Sequence, residues 1–422
     1  MDRSLIHSLL LSQPKLSWAL RHLKLDRLHT QGLSGKGIRI GHLDSGIHTN
    51  ARDLHQKVDL SCVFDWEGNP DKNLCLTDDT GHGTRTASLV VGSSRSRTFI
   101  GAAPDASLVS AKVLEGGQIV LRILKGLDWM AAQKVPVILL CAGLPTPNPV
   151  FGPMMERLRK QGVLVICPIG NTGNNHFLQP GDHASVLSVG AHDEQGLVPK
   201  FSGSRHGRFS TNVLAPDILA PGVHIPCAQP IGGIGNFSGT SMAAALVAGV
   251  AALLLQAVPE AHADLLYDAF CYSSQYACET NRKHVRCGLL DAEAALVYLQ
   301  VHKKLSPQKR PTRPSTKPIG WKDPRLMHQL THTDNKESLT AIYIFHPNLT
   351  DKVWEARMRQ EMQFLLRESD SFSTDYLSRA KALVLTGTPA LHQKVLLHPA
   401  LSYASAADAG SFLQVKPKLY ST

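Results

Sequence analysis

The sequence predicts an α/β protein with a mostly parallel sheet and helices on both faces, followed by a smaller α+β domain of ferredoxin-like order. Two observations predict the first part. Between Gly37 and Leu255, short apolar runs alternate with helix-like segments, and these runs are nearly continuous in Val, Ile, Leu and Ala. Such runs are typical of strands that are buried on both faces of a parallel sheet. A third observation, the order strand, helix, strand, strand, helix, strand after residue 338, predicts the second part.

The strands of the first domain are predicted at IRIGHLD, SLVSAKVL, VPVILLCAG, GVLVICP and SVLSVGA. Apolar residues recur at helical spacing in QIVLRILKGLDWMAAQK, between the second and third strands, and PMMERLRKQG precedes the fourth. The run that follows Ser241 is rich in Ala and Gly and ends at Pro259. It predicts a buried helix, and no membrane span is expected.

The second domain is predicted to begin with the strand SLTAIYIF and the helix DKVWEARMRQEMQFLLRES. Trp354, Met358, Met362 and Leu365 lie on one face of that helix. STDYLSR and KALVLTG then form a hairpin, ALHQKVLLHP a short helix and LSYASA the last strand. This is the order of a ferredoxin-like domain.

These elements divide the chain into an N-terminal extension (1–16), a first domain (17–302), a linker (303–337) and a second domain with a tail (338–422). The net charge of +10 is concentrated in the linker, because Lys303 to Arg325 contain eight Lys or Arg, one Asp and five prolines. This composition predicts an extended, solvated tether. It lacks interleaved aromatic residues, so a nucleic-acid partner is not expected.

The N-terminal segment MDRSLIHSLLLSQPKLSW has no small-residue cleavage site, which predicts a cytoplasmic location. Most of the eight cysteines are therefore expected to be reduced. Three of them lie in or beside apolar runs, as buried thiols do: Cys141, Cys167 and Cys227. Pairing of Cys62 with Cys75, and among Cys271, Cys278 and Cys287, is the alternative.

Four polar residues occupy predicted strand ends or helix starts. Asp44 ends the strand IRIGHLD, and Asn171 follows VLVICPIG. His82 lies between two glycines before a small-residue helix, and Ser241 heads the run MAAALVAGVAALLL. Each residue alone is usually a turn former, a surface residue or a helix cap. Together they lie where ligand sites collect in parallel sheets.

These residue types supply the parts of nucleophilic catalysis. A hydroxyl nucleophile needs a base to take its proton, and the base needs a carboxylate that fixes its tautomer. The oxyanion that forms needs hydrogen-bond donors, and the N-terminus of a helix provides both N–H groups and a favourable dipole. Gly239 permits a substrate to approach the start of the helix closely.

Over residues 17–298, the sequence resembles the subtilisin-like serine peptidases (subtilases, family S8). The segments that carry the resemblance are GKGIRIGHLDSGI, GHGTRTASLVVG, FIGAAPDASLVSAKVL, PIGNTG, SVLSVGA, LAPGV, FSGTSMAAALVAGVAALLL and CGLLDAEAAL. The resemblance implies a serine endopeptidase that acts on a protein or peptide through an acyl-enzyme intermediate. It also implies that Asp44, His82 and Ser241 form the catalytic triad and that Asn171 contributes to the oxyanion hole.

Two segments depart from the family pattern. Cys141-Ala142-Gly143-Leu144 stands where the family has Ser-Leu-Gly-Gly lining the primary substrate pocket. With Gly239 and Thr240, these four are the predicted substrate-binding residues, and Leu144 is expected to narrow or cover the pocket and restrict specificity. After Ser241, Ala243-Ala244-Ala245 replaces a segment that usually contains Pro, and the helix is expected to form because Ala is the best helix former.

No cofactor and no metal site are predicted. The acidic residues between Asp44 and His82 favour a solvated loop: Asp65, Glu67, Asp71, Asp78 and Asp79. They lack the regular spacing of a loop-and-helix calcium site. Calcium, which subtilisin-like enzymes often carry, is the alternative.

The second domain is similar, in the order of its helices and strands and in its size, to the subtilisin propeptide, whose fold is that of an inhibitor. This resemblance implies docking in cis on the peptidase domain, as an inhibitor, a chaperone or a substrate-recruiting module. An independently folded binding domain is the alternative, since this fold hosts many functions. For the whole chain, the alternative function is that of a catalytically silent or self-inhibited binding scaffold.

Overall fold

The computed structural model describes residues 15–71, 73–93, 98–114, 116–144, 149–205, 214–275, 278–303, 321–322, 326, 329–330, 338–345, 351–366, 372–377, 382–396 and 401–407. Most of the predicted N-terminal extension and linker, and the tail after residue 407, lie outside these residues.

The strands are, in chain order, β1 (Lys15–Leu16), β2 (Arg39–Asp44), β3 (Val58–Phe64), β4 (Pro70–Asp71), β5 (Thr98–Phe99), β6 (Ser107–Lys112), β7 (Val137–Leu140), β8 (Leu164–Pro168), β9 (Val186–His192), β10 (Ile218–Pro221), β11 (Ile225–Ala228), β12 (Ile234–Phe237), β13 (Gly288–Leu289), β14 (Trp321–Lys322), β15 (Leu339–Phe345), β16 (Ser373–Leu377), β17 (Ala382–Gly387) and β18 (Leu401–Ala406).

The α-helices are α1 (Trp18–His22), α2 (Leu25–Thr30), α3 (His82–Val91), α4 (Ile119–Ala132), α5 (Gly152–Lys160), α6 (Thr240–Ala257), α7 (Ala263–Ser273), α8 (Ala292–His302), α9 (Asp351–Leu366) and α10 (Pro389–Leu396). Short 3₁₀ turns occur at Arg52–Leu54, Pro149–Phe151 and Glu279–Lys283.

The first domain is built on a nine-stranded sheet of order β13-β10-β9-β8-β7-β2-β6-β3-β4. Neighbouring strands run parallel except for β3 and β4, which are antiparallel. The predicted fold class is confirmed. The five predicted strands correspond to β2, β6, β7, β8 and β9, and β2, β7 and β8 lie side by side.

Helices cover both faces of this sheet because each central strand is apolar on both sides. In β7, Val137 and Leu139 belong to one core cluster, together with α3 and α6. Ile138 and Leu140 belong to the other, together with α4 and α5. This division follows the two-residue period of a strand.

The long apolar run after Ser241 forms the central helix, α6. Thr240–Ala257 is long and apolar enough to cross a membrane, but 89% of it is buried inside the molecule. Ala243, Ala244 and Ala245 are fully buried within the helix. The prediction of a buried helix that tolerates the Ala triplet is confirmed.

The second domain has the predicted order of elements. Its sheet order is β14-β18-β15-β17-β16, and the four strands β15 to β18 pair antiparallel. The predicted hairpin is the pair β16 and β17. On α9, Trp354, Met358 and Met362 are buried in the core of the domain, as is Leu366, and the side chain of Leu365 lies outside the described residues.

Each face of this second sheet is covered by a different partner. Leu383 and Leu385 of β17 pack in the core of the second domain, which includes residues of α9 and α10. Ala382 and Val384 belong instead to the cluster that contains residues of α4 and α5. At the edge of this contact, Lys125 Nζ lies 2.6 Å from Asp375 Oδ2. The second domain is therefore packed against the first through the apolar face of its sheet.

Part of the predicted linker belongs to the second domain. The strand β14 pairs in parallel with β18, and Leu326 and Leu330 are buried in the core of the second domain. The composition of this segment predicts a solvated tether, but its few apolar residues find burial sites against the sheet. The second domain thus begins before residue 338.

Candidate active site

The four predicted site residues lie at the carboxyl edge of the main sheet. Asp44 is the last residue of β2, and Asn171 follows β8 by three residues. His82 is the first residue of α3, and Ser241 is the second residue of α6. Hydrogen bonds link Asp44 with His82, and Asn171 with the residue before Ser241.

Asp44 and His82 form a buried pair. Nδ1 of His82 lies 2.7 Å from Oδ1 of Asp44, and the two side chains are buried. Because a carboxylate only accepts hydrogen bonds, Nδ1 must carry the proton in this contact. A neutral His82 therefore has its lone pair on Nε2.

The pKa values of this pair reflect burial opposed by mutual attraction. Burial disfavours a charged imidazole, but the charge and hydrogen bond of Asp44 outweigh it and raise the pKa of His82 above its ordinary value. Burial likewise disfavours the charged Asp44, but attraction to His82, its hydrogen bond and that of the Ser45 N–H lower the pKa of this carboxyl group. Asp44 is therefore the anionic member of the pair.

The second oxygen of Asp44 is also fixed. Thr86 Oγ1 donates to Oδ2 of Asp44 at 2.8 Å, and Thr86 lies four residues after His82 on α3. Residues at this spacing lie on the same face of a helix. One helix therefore contacts both oxygens of the carboxylate, through side chains one turn apart.

His42 supports this contact from the core. Its Nε2 lies 3.0 Å from Thr86 Oγ1, and its Nδ1 lies 3.1 Å from Oγ of Ser110. Since the Thr86 proton faces the carboxylate, Nε2 of His42 donates and Nδ1 accepts. Burial lowers the pKa of His42, which keeps it neutral in this chain of hydrogen bonds from Ser110 to Asp44.

The start of α3 is held by Asp78. This buried carboxylate accepts from the backbone N–H groups of Gly81 and Thr84 at 2.8 and 2.7 Å, and from Oγ of Ser45 at 2.8 Å. The first turn of a helix has N–H groups without internal partners, and Asp78 satisfies this need. At Gly83 only glycine fits, because an added Cβ would lie 2.0 Å from the carbonyl oxygen of Gly46.

Two polar atoms of the predicted site residues are left without partners. Nε2 of His82 and Oγ of Ser241 are both buried, and neither has a hydrogen-bond partner among the described residues. A buried polar atom without a partner costs about 1–3 kcal/mol. Such an atom calls for an explanation, and a catalytic role is one of those that native proteins show.

Asn171 is oriented by Thr240. Its Oδ1 accepts from the backbone N–H and from Oγ1 of Thr240, at 2.9 and 2.8 Å. This fixes the amide so that Nδ2 is the outward donor. An added Cβ on Gly239 would lie 3.2 Å from Nδ2, so the absence of a side chain at this position leaves the donor accessible.

Two of the predicted substrate-binding residues, Cys141 and Thr240, lie beside Ser241. Cys141 Sγ lies 3.9 Å from the carbonyl oxygen of Ser241, and Thr240, which precedes Ser241, is fully buried and donates to Oδ1 of Asn171. Leu144, predicted to narrow or cover the pocket, is 1% exposed and packs in the core cluster that includes Phe151. Its side chain is therefore a core side chain rather than a cover.

The acidic residues before His82 do not converge. Asp65 hydrogen-bonds Asn69, whereas Asp79 lies 3.3 Å from Nζ of Lys112. Asp78 is occupied by the start of α3. Within the described residues, no group of three or more His, Cys, Asp or Glu side chains is placed to hold a metal ion. Cys141, Cys167 and Cys227 are buried free thiols.

Three residues of this site were not predicted: His42, Thr86 and Asp78 were not assigned to it. His42 has a visible signal, since it is a polar residue in the interior of the strand IRIGHLD and lies two residues before Asp44. Residues at that spacing share one face of a strand. Thr86 and Asp78 have no comparable signal, because their roles depend on how α3 meets β2.

The fold and the placement of these residues define a subtilisin-like α/β protein. A family model described as the subtilase family (peptidase S8) matches residues 35–280, more than half of the chain. The protein belongs to the subtilase family.

Two relatives match part of the chain. Subtilisin BL of Lederbergia lenta is 32% identical over 244 residues, which cover 57% of this chain and 85% of the relative. M-protease of Shouchella clausii (strain KSM-K16) is 32% identical over 244 residues, and the match spans only 60% of that protein.

Solved structures show the same fold. The prenylagaramide maturation protease PagA matches with a TM-score of 0.54 and 24% identity, over 65% of this chain and 98% of PagA. MycP1 with its N-terminal propeptide removed matches with a TM-score of 0.55 and 20% identity, over 66% and 96% of the two chains.

Proposed function

We propose that the protein is a serine endopeptidase in which Ser241 is the nucleophile. His82 takes the Ser241 proton on Nε2 as Oγ attacks the scissile carbonyl carbon, and Asp44 stabilises the imidazolium that forms. Nδ2 of Asn171 and the N–H of Ser241 donate to the oxyanion. His82 then protonates the leaving amine, and water hydrolyses the acyl-enzyme by the same route.

A single contrast supports this proposal. Nδ1 of His82 is hydrogen-bonded to Asp44, while Nε2 of His82 and Oγ of Ser241 are buried without partners. His42, by comparison, has both ring nitrogens hydrogen-bonded. Nε2 of His192 is also buried without a partner, so the support comes from three features together: the buried carboxylate on Nδ1 of His82, its orphaned Nε2, and the orphaned hydroxyl of Ser241. In enzymes without substrate, the contact between nucleophile and base is often long and tightens on binding.

Labelling with a fluorophosphonate tests the proposal. The full-length protein is expected to gain one adduct on Ser241 and to cleave a fluorescent casein, and Ser241→Ala abolishes both. Ser238→Ala is the matched control, because Ser238 is buried three residues away and its Oγ accepts from the N–H of His224. This control keeps the label. A wild-type chain that stays unlabelled contradicts the proposal.

We also propose that specificity is restricted and that the second domain acts in cis. The support for an action in cis is the packing of its sheet against the cluster of α4 and α5, the helices that follow β6 and precede β8. A detached domain exposes this apolar face, which is unfavourable. The role as inhibitor, chaperone or recruiting module follows from the resemblance to the propeptide fold.

Charge placed on the shared face tests the action in cis. Ile342→Asp with Val384→Asp puts two carboxylates into the apolar contact, whereas Ser373→Asp adds a carboxylate at an exposed position of the same sheet. We expect the double variant alone to change either kcat/KM for a short peptide or the yield of folded protein. Values identical to wild type in both measurements contradict the proposal.

A further inference from the structure

Two segments that contain glycine flank the start of α6. Gly143 follows β7, two residues after Cys141, whose Sγ contacts the carbonyl oxygen of Ser241. Gly170 precedes Asn171, and its N–H donates to Oγ1 of Thr240 at 3.3 Å. Because β7 and β8 are neighbours, these segments leave the sheet side by side. Paired glycines at this place leave room for a side chain beside the nucleophile.

That room is filled by Leu178 of the chain itself. An added Cβ on Gly143 would lie 2.5 Å from Cβ of Leu178, and one on Gly170 would lie 2.8 Å from its Cγ. Leu178 is only 3% exposed. Its side chain therefore occupies the space that both glycines leave open.

The backbone holds Leu178 in this place. Its N–H donates to the carbonyl oxygen of Ile169 at 2.8 Å. The next residue, Gln179, exchanges two backbone hydrogen bonds with Leu144, at 2.8 and 2.9 Å. The segment that carries Leu178 is thus tied to both glycine-containing segments, and the filling side chain is part of the folded structure.

A substrate needs the same space. Its scissile carbon must reach Oγ of Ser241 while its carbonyl oxygen faces Nδ2 of Asn171. The side chain on the acyl side of that bond is carried by the carbon next to the carbonyl carbon, so it must lie close to Ser241 and Asn171, and the space beside them is bordered by the segments of Gly143 and Gly170. We propose that Leu178 limits this side chain to the size of Gly or Ala. The proposal rests on the proposed peptidase function and assigns its substrate class: peptides with a small residue before the scissile bond.

Leu178→Gly tests this assignment in the full-length protein. The measurement is kcat/KM for peptide p-nitroanilides that differ only in the acyl-side residue: Gly, Ala, Leu or Phe. In an apolar pocket, one methylene more or less on a substrate changes the ratio of two kcat/KM values about 10- to 200-fold. We therefore expect wild type to prefer Ala over Phe at least about 10-fold, and Leu178→Gly to reverse that preference. Leu197→Gly, at a leucine 47% exposed, is the matched control and keeps the wild-type order.

The outcomes separate this proposal from the proposed function. If fluorophosphonate does not label the wild-type protein, the proposed function is overturned, and this assignment with it. If the wild-type protein is labelled but prefers the Phe substrate over the Ala substrate, only the role of Leu178 is overturned. The same holds if Leu178→Gly leaves the wild-type order of the four substrates unchanged. Leu178→Ala is a milder truncation, to be used if the glycine variant is poorly folded. It must raise the ratio of kcat/KM for the Phe substrate to kcat/KM for the Ala substrate, by a smaller factor than Leu178→Gly.

Discussion

The two sides of His82 differ in how completely their polar groups are satisfied. On the Asp44 side, the carboxylate accepts from Ser45, His82 and Thr86, and His42 supports Thr86 in turn. By contrast, Nε2 of His82 and Oγ of Ser241, the pair that reacts in the proposed mechanism, are buried without partners among the described residues. In the proposed mechanism, the hydrogen bonds around Asp44 fix the geometry before substrate arrives, and Nε2 of His82 and Oγ of Ser241 make their hydrogen bonds during the reaction.

The largest effect on activity is expected from a substitution of Asp44, which accepts the hydrogen bonds of Ser45, His82 and Thr86. Asp44→Asn removes the charge that stabilises a protonated His82 and permits the wrong tautomer. A comparable substitution in another serine peptidase lowers kcat about 10⁴-fold. The residual activity also has a shifted pH profile. Asp44 raises the pKa of His82, so its loss lets burial lower that pKa, and the acidic limb of kcat/KM moves to lower pH. A limb that stays in place contradicts this account.

A smaller loss of activity is expected from substitution of Asn171, the proposed oxyanion donor. Asn171→Ala removes Nδ2, and loss of such a donor costs about 10²–10³-fold in kcat in a related enzyme. KM is expected to stay nearly constant, because the donor acts on charge that develops in the transition state. Steady-state kinetics on one peptide measures both constants. An unchanged kcat removes Asn171 from the site.

The smallest effect on kcat is expected at His42, which supports Asp44 through Thr86. His42→Leu removes the donor to Thr86, and a loss of about 1.4 kcal/mol of transition-state stabilisation lowers kcat about 10-fold. His42→Gln keeps an amide donor and is expected to recover most of kcat, with KM unchanged in both variants. If His42→Leu lowers thermal stability while kcat is preserved, His42 supports the fold alone.

The positions of Asp44, His82, Asn171 and Ser241 could be predicted because each follows a readable feature, a strand end or a helix start. The same logic predicted the parallel sheet and the order of the second domain. Leu144 was expected to cover the pocket, but its direction depends on the packing around Phe151.

Leu178 could not be predicted, since it lies outside regular structure and its role depends on contacts with two distant glycines. The early start of the second domain was hidden for a similar reason. Leu326 and Leu330 stand in a Pro-rich, basic composition, and only the tertiary structure shows that they are buried.

Detection of an acyl-enzyme tests the central claim most directly. The full-length protein is mixed with an activated ester of an Ala-terminated peptide, and product release is followed from the first milliseconds, with intact mass recorded after acid quench. The account predicts a burst on the order of one product per chain and an acyl group on Ser241. A linear time course without an adduct, or an adduct that persists in Ser241→Ala, would contradict the assignment of Ser241 as the nucleophile.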